Sequence, residues 1–285
     1  MKKLCILLPV CLFVLLLLTA CSAQSDRSSG FDASRDISVV SREIGSGTRD
    51  AFIALFGVDG GSEKQLQEAV IAESTRIMMN NIINDHHAIG YLSLGMLNKA
   101  VKALRIDGAA AIWENVRNGS YRIQRPFILA IKGEATGLAK DFIDFILSAE
   151  GQKLLSGSYV VIDEDAPAYA GDKPAGHITI AGSTSVAPAM QDLKRSYENI
   201  NPDANIVIQE SDSGAGLAAV MNGACDIGMA SRALRDSELA ELTEIPIAID
   251  GIAVIVDINN PLTDLTSEQV KEIFTGSITK WSDVQ

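Results

Sequence analysis

The chain has 285 residues, 47% of them hydrophobic, and a formal net charge of −12. That length supports a large core, in one big domain or two lobes. So acidic a surface argues against nucleic acid, whose phosphates need a basic stripe, but not against a small anion, because a local cluster of donors overrides the far field.

Residues 1–21 read as a targeting segment. Lys2 and Lys3 give the positive start, and Leu4 to Leu18 is apolar but short for a spanning helix. Leu18-Thr19-Ala20-Cys21 resembles a bacterial lipobox, in which cleavage leaves Cys21 first and its thiol carries lipid. An ordinary secretion signal with a chance cysteine is the alternative; the small residues at the end of the apolar run favour the lipoprotein. Residues 22–36 are polar and Ser-rich, a flexible tether between lipid and body. Cys5 and Cys11 fall in the segment that is removed, so Cys225 alone remains and no intrachain disulfide forms. Within "NGACDIG" it reads as a small buried residue.

The body starts with a β-branched strand over 37–40, then the loop "SREIGSGTRD", then a helix over 49–56 that Gly57 to Gly61 interrupt. "EAVIAEST" reads as a strand, with Ser74 and Thr75 capping a helix over 76–83. "AIGYLSLG" and "VKALRIDG" are strands, and "AAAIWENVRNG" is a short helix. "RPFILAIKG" is a strand whose Pro126 suits an edge or first position. Apolar residues at 138, 142, 145, 146 and 154 predict a helix over 136–155. Residues 163–176, "DEDAPAYAGDKPAG", are the clearest linker. After it come strand "HITIAG", helix 186–200, strand "ANIVIQE", loop "SDSGAG", helix "LAAVMNGA", strand "DIGMAS" and helix "DSELAEL". "IPIAIDGIAVIVD" is a strand pair or one crossing strand, and a helix over 266–274 is capped by Thr266 or Ser267. Strands alternating with helices mean an α/β fold with mainly parallel sheets.

Three strand–loop–helix units share a Ser/Thr/Gly loop: "SREIGSGTRD", "AGSTSVAP" and "ESDSGAG". A helix start offers unpaired N–H groups and partial positive charge, glycine allows close approach, and hydroxyls add donors. One such loop is an ordinary helix cap. Three in one α/β chain, one of them with Arg42, point to a small oxyanion. Other chemistries lack their motifs. There is no Walker lysine after a glycine-rich loop, no third glycine after Gly45 and Gly47, and no G-x-S-x-G elbow. His86, His87 and His177 lack metal-ligand spacing and read as surface or structural residues. Neither a metal nor a cofactor is expected.

"ITIAGSTSVAPAM", "SDSGAGLAAVMNGACDIGMASRAL", "IAIDGIAVIVDINNPLTDLTSEQVKEIFTGSITKWSDV" and "VVSREIGSGTRDAF" resemble the phosphate-binding proteins of bacterial ABC phosphate importers, over nearly all of residues 37–285. The resemblance implies a two-lobed type II periplasmic-binding-protein fold that closes on inorganic phosphate, with importer permease subunits as partners. It implies no catalysis. With the lipobox it implies a lipid-anchored protein on the extracytoplasmic face, tied to the membrane through Cys21.

The order of the motifs departs from that family, where the "GSTSVAP" half precedes the "SREIGSGTRDAF" half. Here it follows, as after a circular permutation whose old termini are fused by 163–176. By resemblance, "IPIAIDGIAVIVD" and "RPFILAIKG" are the lobe crossings. Residues 127–246 then form one continuous lobe, and 37–126 with 247–285 form the other, split one. Permutation is tolerated when the new ends fall in an exposed loop. A piece of a tandem array, completing its split lobe by segment swapping, is the alternative.

The resemblance assigns the ligand site to Thr184, Ser185, Ser213, Gly214 and Ser231 from one half, and to Arg42, Ser46, Gly47 and Thr48 from the other. Arg232 is a weaker candidate with a structural alternative. Many family members carry an acid directly before the first glycine of "GSGT"; here that position is Ile44. A buried acceptor carboxylate is what tells protonated phosphate from sulfate. Glu43, Asp212 or Asp50 are the substitutes in reach. The readings that stay open are another tetrahedral oxyanion (sulfate or molybdate), a permuted sensing or interaction module, and, last, a phosphate-ester hydrolase using a loop serine.

Overall fold

The computed structural model describes residues 30–58 and 69–284. The leader 1–21 with Cys21, tether residues 22–29 and the stretch 59–68 lie outside the described residues. Every element belongs to the unit that begins at Asp32.

The first part of the chain gives β1 (Ser38–Arg42), α1 (Gly47–Phe56), β2 (Val70–Ala72), α2 (Thr75–Asn84), β3 (Ala88–Ser93), β4 (Val101–Ala103), β5 (Arg105–Ile106) and α3 (Trp113–Arg117). The middle gives β6 (Gln124–Ile131), α4 (Gly137–Leu147), α5 (Ala149–Leu155), β7 (Val160–Val161), β8 (Gly176–Ser183), α6 (Ala187–Ile200), β9 (Ala204–Ser211), α7 (Ser213–Met221), β10 (Ile227–Ala230) and α8 (Asp236–Leu239). The chain ends with β11 (Thr243–Asp257), β12 (Asp264–Leu265) and α9 (Ser267–Thr275).

The fold is a two-lobed mixed α/β structure on one curled sheet, in the order β2-β1-β3-β11-β6-β10-β8-β9. The outer strands are parallel, as alternating strand–helix units require: β1 with β2 and β3, β8 with β9 and β10. Around β11 the sheet is antiparallel, to β3, β4, β6 and β7. "IPIAIDGIAVIVD" is therefore one strand and not a pair. Its residues 243–251 pair with β6 and 252–256 with β3, so a single strand runs through both lobes.

Three predicted elements differ in form. The strand expected over "VKALRIDG" is two short ones, β4 paired with β11 and β5 paired with β12. The helix foreseen over 136–155 is two, because Ser148 ends α4 with ψ 168 and caps α5 by accepting from Gly151 N–H at 3.4 Å. Gly151 permits the break: a Cβ there would stand 2.2 Å from the Phe145 carbonyl oxygen. The loop "SDSGAG" is shorter than expected, since Asp212 caps a helix that already starts at Ser213.

Each lobe has its own core. In the first, Phe52 of α1 stacks on Tyr91 of β3 with ring centroids 3.9 Å apart, and Phe274 of α9 tilts against both. In the second, Phe127, Phe142, Phe145, Met190 and Tyr197 are buried together. The 163–176 segment has no helix and no strand before Gly176, yet it is pinned. The Asp141 carboxylate accepts from the Tyr169 hydroxyl, the Tyr197 hydroxyl at 2.5 Å and the Asp172 N–H at 2.8 Å.

The two ends of the body meet. Ile37 N–H donates to the Thr279 carbonyl at 2.7 Å, Asp36 and Lys280 pair their backbones in an isolated antiparallel β-bridge, and Ser282 N–H donates to the Ala33 carbonyl at 2.8 Å. His87 binds this junction: its carbonyl accepts from Trp281 Nε1 at 3.0 Å and its Nε2 from Asp32 N–H at 2.9 Å.

Candidate functional site

The site grows from the ends of β1, β8 and β10. Arg42 is the last residue of β1 and is buried. Tyr91 from the neighbouring strand fixes it: the Tyr91 hydroxyl accepts Arg42 N–H at 3.1 Å and lies 2.9 Å from Ser41 Oγ. Gly45, with φ +95°, then turns the chain in the left-handed region that disfavours a side chain. Ser46 caps α1, accepting from Arg49 N–H at 3.4 Å, and so presents Gly47 and Thr48 on the first turn.

In the second lobe, Thr184 and Ser185 follow β8 and Ser231 follows β10. Asp212 accepts Ala215 N–H at 2.8 Å and so orients Ser213 and Gly214 at the start of α7. Eight of the nine residues named from the sequence are drawn together here, and Ser46 stands beside them as the cap of α1. Arg42 Nη2 reaches Thr184 Oγ1 at 3.3 Å, and Thr48 Oγ1 lies 2.9 Å from Ser185 Oγ. Gly214 N–H donates to the Gly45 carbonyl at 3.1 Å. A Cβ at Gly47 would stand 2.5 Å from Ser213 Oγ and 2.7 Å from Ser231 Oγ. Ser46 uses its hydroxyl on the helix cap, its N–H on the Glu43 carbonyl at 3.2 Å and its carbonyl on the Asp50 N–H at 3.0 Å.

The cluster holds hydroxyls, one guanidinium and the starts of α1 and α7. The guanidinium and the two helix starts give the cluster a positive character that stabilises negative charge. Among the described residues no group of His, Cys, Asp or Glu is arranged to hold a metal.

Ile44 is 88% exposed and takes no part. Glu43 grips Arg42 with both oxygens, at 2.8 Å to Nε and 2.7 Å to Nη2. Asp50 faces Arg232 Nε at 3.1 Å and also pairs with Arg235 at 2.5 Å. Asp212 serves as the helix cap. All three carboxylates considered from the sequence are thus engaged by protein partners. Arg232 also binds Glu238, at 2.7 Å and 2.8 Å. Burial alone would raise the Glu238 carboxyl, but Arg232 and the Arg235 N–H hold it below the usual range.

Several residues were missed from the sequence. Thr75 joins the cluster, 3.3 Å from Arg42 Nη1 and 3.1 Å from Ser185 Oγ. Its signal lies in "EST", which ends a strand and opens a helix, a pattern that helix capping alone explains. Ser183 Oγ donates to Ser231 Oγ at 3.0 Å. Beneath them, Arg125 Nη1 donates to the Ser231 carbonyl at 3.1 Å and Nη2 to Asp250 Oδ2 at 3.1 Å. Asp250 also accepts from Ser93 Oγ at 2.9 Å. Burial pushes the Asp250 carboxyl up to about 6 against the pull of Arg125. No local pattern announces this pair, whose members are brought together only by the pairing of β6 with β11.

Comparison with known proteins follows the same lines. A model of the PBP superfamily domain matches residues 23–150 and 167–285. Phosphate-binding protein PstS 2 of Streptococcus agalactiae serotype V is 42% identical over 276 residues, covering 94% of this chain and 93% of that protein. Phosphate-binding protein PstS of Bacillus subtilis is 31% identical over 116 residues only, 40% of this chain and 39% of that one. The crystal structure of a phosphate-binding protein of a phosphate ABC transporter from Streptococcus pneumoniae TIGR4 matches with a TM-score of 0.70 at 37% identity, covering 88% of this chain and 100% of that one.

Proposed function

The chain belongs to the PBP superfamily and, within it, to the phosphate-binding proteins, and on that footing we propose that it captures inorganic phosphate between its lobes for an ABC importer. The observation that carries the reading is the meeting of the two lobes at Arg42 with Thr184 and at Thr48 with Ser185, a guanidinium and three hydroxyls brought into one cluster. Phosphate binding stabilises the closed arrangement, a ligand-driven population shift without catalysis. Arg42, Ser46, Gly47, Thr48, Thr184, Ser185, Ser213, Gly214 and Ser231 are the proposed ligand residues. Importer permease subunits are the proposed partners. Lipid on Cys21, palmitate included, is the proposed anchor on the extracytoplasmic face.

Circular permutation is part of the proposal, with lobes 127–246 and 37–126 plus 247–285. The adjacency of Ile37 and Thr279 within one chain supports it over segment swapping. An altered order of the halves is in keeping with the contrast between an end-to-end match to the streptococcal relative and a match of less than half to the Bacillus one.

Titration calorimetry of the mature protein with phosphate, sulfate and molybdate tests the function. Binding of phosphate at one site per chain is expected, and a folded protein that binds none of the three sinks it. Fatty-acid labelling that disappears in Cys21→Ala tests the anchor.

A further inference from the structure

Thr75 is the first residue of α2, with Ser74 as its cap, and is 1% exposed. Its hydroxyl lies 3.3 Å from Arg42 Nη1, 3.1 Å from Ser185 Oγ and 3.4 Å from Thr184 Oγ1, and its N–H points at Thr184 Oγ1 at 3.4 Å. Every one of these contacts is long, since hydroxyl–hydroxyl bonds centre near about 2.7–2.8 Å. Thr75 and Thr184 each accept from Arg42 at 3.3 Å and have no hydroxyl neighbour closer than 3.1 Å, so each keeps its own hydroxyl proton to give, whereas Ser185 Oγ is engaged by Thr48 at 2.9 Å.

The guanidinium explains where that donor is aimed. Glu43 and the Ala72 carbonyl hold Nε, and Glu43 also holds Nη2. Nη1 is the arm directed at Thr75. A cavity of about 300 Å³ outside the cluster is lined by Ser74, Thr75, Arg76 and Thr184 among others. Thr75 from the first lobe and Thr184 from the second therefore stand between solvent and Arg42.

We propose that Thr75 is a further ligand-binding residue, donating its hydroxyl and its N–H to the oxyanion that Arg42 holds. The β2–α2 turn is then a fourth anion cradle beside the three Ser/Thr/Gly loops. Together with Thr184 it forms the mouth through which the anion passes. The assignment rests on the phosphate reading above and adds a residue to that same site.

The test is phosphate calorimetry on the wild type, Thr75→Val and Thr75→Ser, with thermal melting in the absence of phosphate. Removing a donor to a charged ligand predicts affinity lowered at least about tenfold in Thr75→Val. Thr75→Ser, which keeps both donors, stays within about threefold. The phosphate-induced rise in melting temperature shrinks in Thr75→Val and is kept in Thr75→Ser. Thr75→Ala replaces the valine variant if the latter does not fold, with the same loss expected. Equal affinity in wild type and in the valine or alanine variant overturns the role of Thr75 and leaves the phosphate reading standing. A wild type that binds no phosphate overturns both.

Discussion

Asp50 in the first turn of α1 lies 3.1 Å from Arg232 Nε in the other lobe. Arg232 is anchored by Glu238 on its own side, so Asp50 closes a bridge between lobes. Asp50 is 22% exposed and Arg235 59%, which limits the energy to that of a partly screened pair. Asp50→Asn should weaken phosphate binding by about three- to tenfold, chiefly by faster release, with about 1 kcal/mol involved. Stopped-flow release at low and high salt checks this. A release rate equal to wild type at both salts removes the pair from the closure.

Gly47→Ala makes a sharper case. The added Cβ meets Ser213 Oγ and Ser231 Oγ at 2.5 and 2.7 Å, both in the opposite lobe. Within α1 alanine is the better residue by about 1 kcal/mol, so the isolated lobe keeps its fold. Melting should be unchanged or slightly raised while phosphate affinity falls about a hundredfold or more. Calorimetry with retained affinity contradicts it.

Asp250 predicts a pH dependence of stability. Burial disfavours its charge and pushes its folded-state carboxyl up to about 6, above the ordinary value of 3.8. The folded state then holds more protons than the unfolded state between these values. Its contribution is fully present below about 4 and is lost as pH rises through about 6, by up to about 3 kcal/mol. Asp141 and Glu238, both held low, work in the opposite sense and in the more acid range. Denaturant unfolding between pH 4.5 and 7.5 should show the decline. The double variant Arg125→Met with Asp250→Leu, which removes both buried charges, should fold and lose that decline. An unaltered slope refutes the assignment.

Rejoining the ends tests the chain order. A short linker from 284 to 37, with new ends cut between Glu164 and Asp165, restores the "GSTSVAP" half to the front. Both cut residues are exposed, and the Asp141 contacts lie beyond them at 169–173. The rearranged protein should melt within about 5 °C of the original and bind phosphate within about threefold. A molten or non-binding product speaks against a cut at a tolerant loop.

Much of this was legible in sequence because it is local. The Gly/Ser/Thr loops declare themselves through capping chemistry, and their strands and helices through periodicity. Ser148 was missed since a serine within an apolar stripe looks like a solvent-facing helical residue; only Gly151 closing on the Phe145 carbonyl shows the break. Arg125 and Asp250 lie 125 residues apart in sequence and meet through one antiparallel register. Which of Glu43, Asp50 and Asp212 pairs with Arg42 was open in the sequence, because that depends on how the chain turns at Gly45 and not on local pattern.

The junction of Ile37 with Thr279 and of Ala33 with Ser282 has a mechanical meaning. Both chain ends leave from the first lobe, cross-braced by Trp281 and His87. Force applied through residue 32 is taken up there as shear across paired backbone, and none of it has to pass through β11. Under the anchor proposed on Cys21, the first lobe is the one that carries the load.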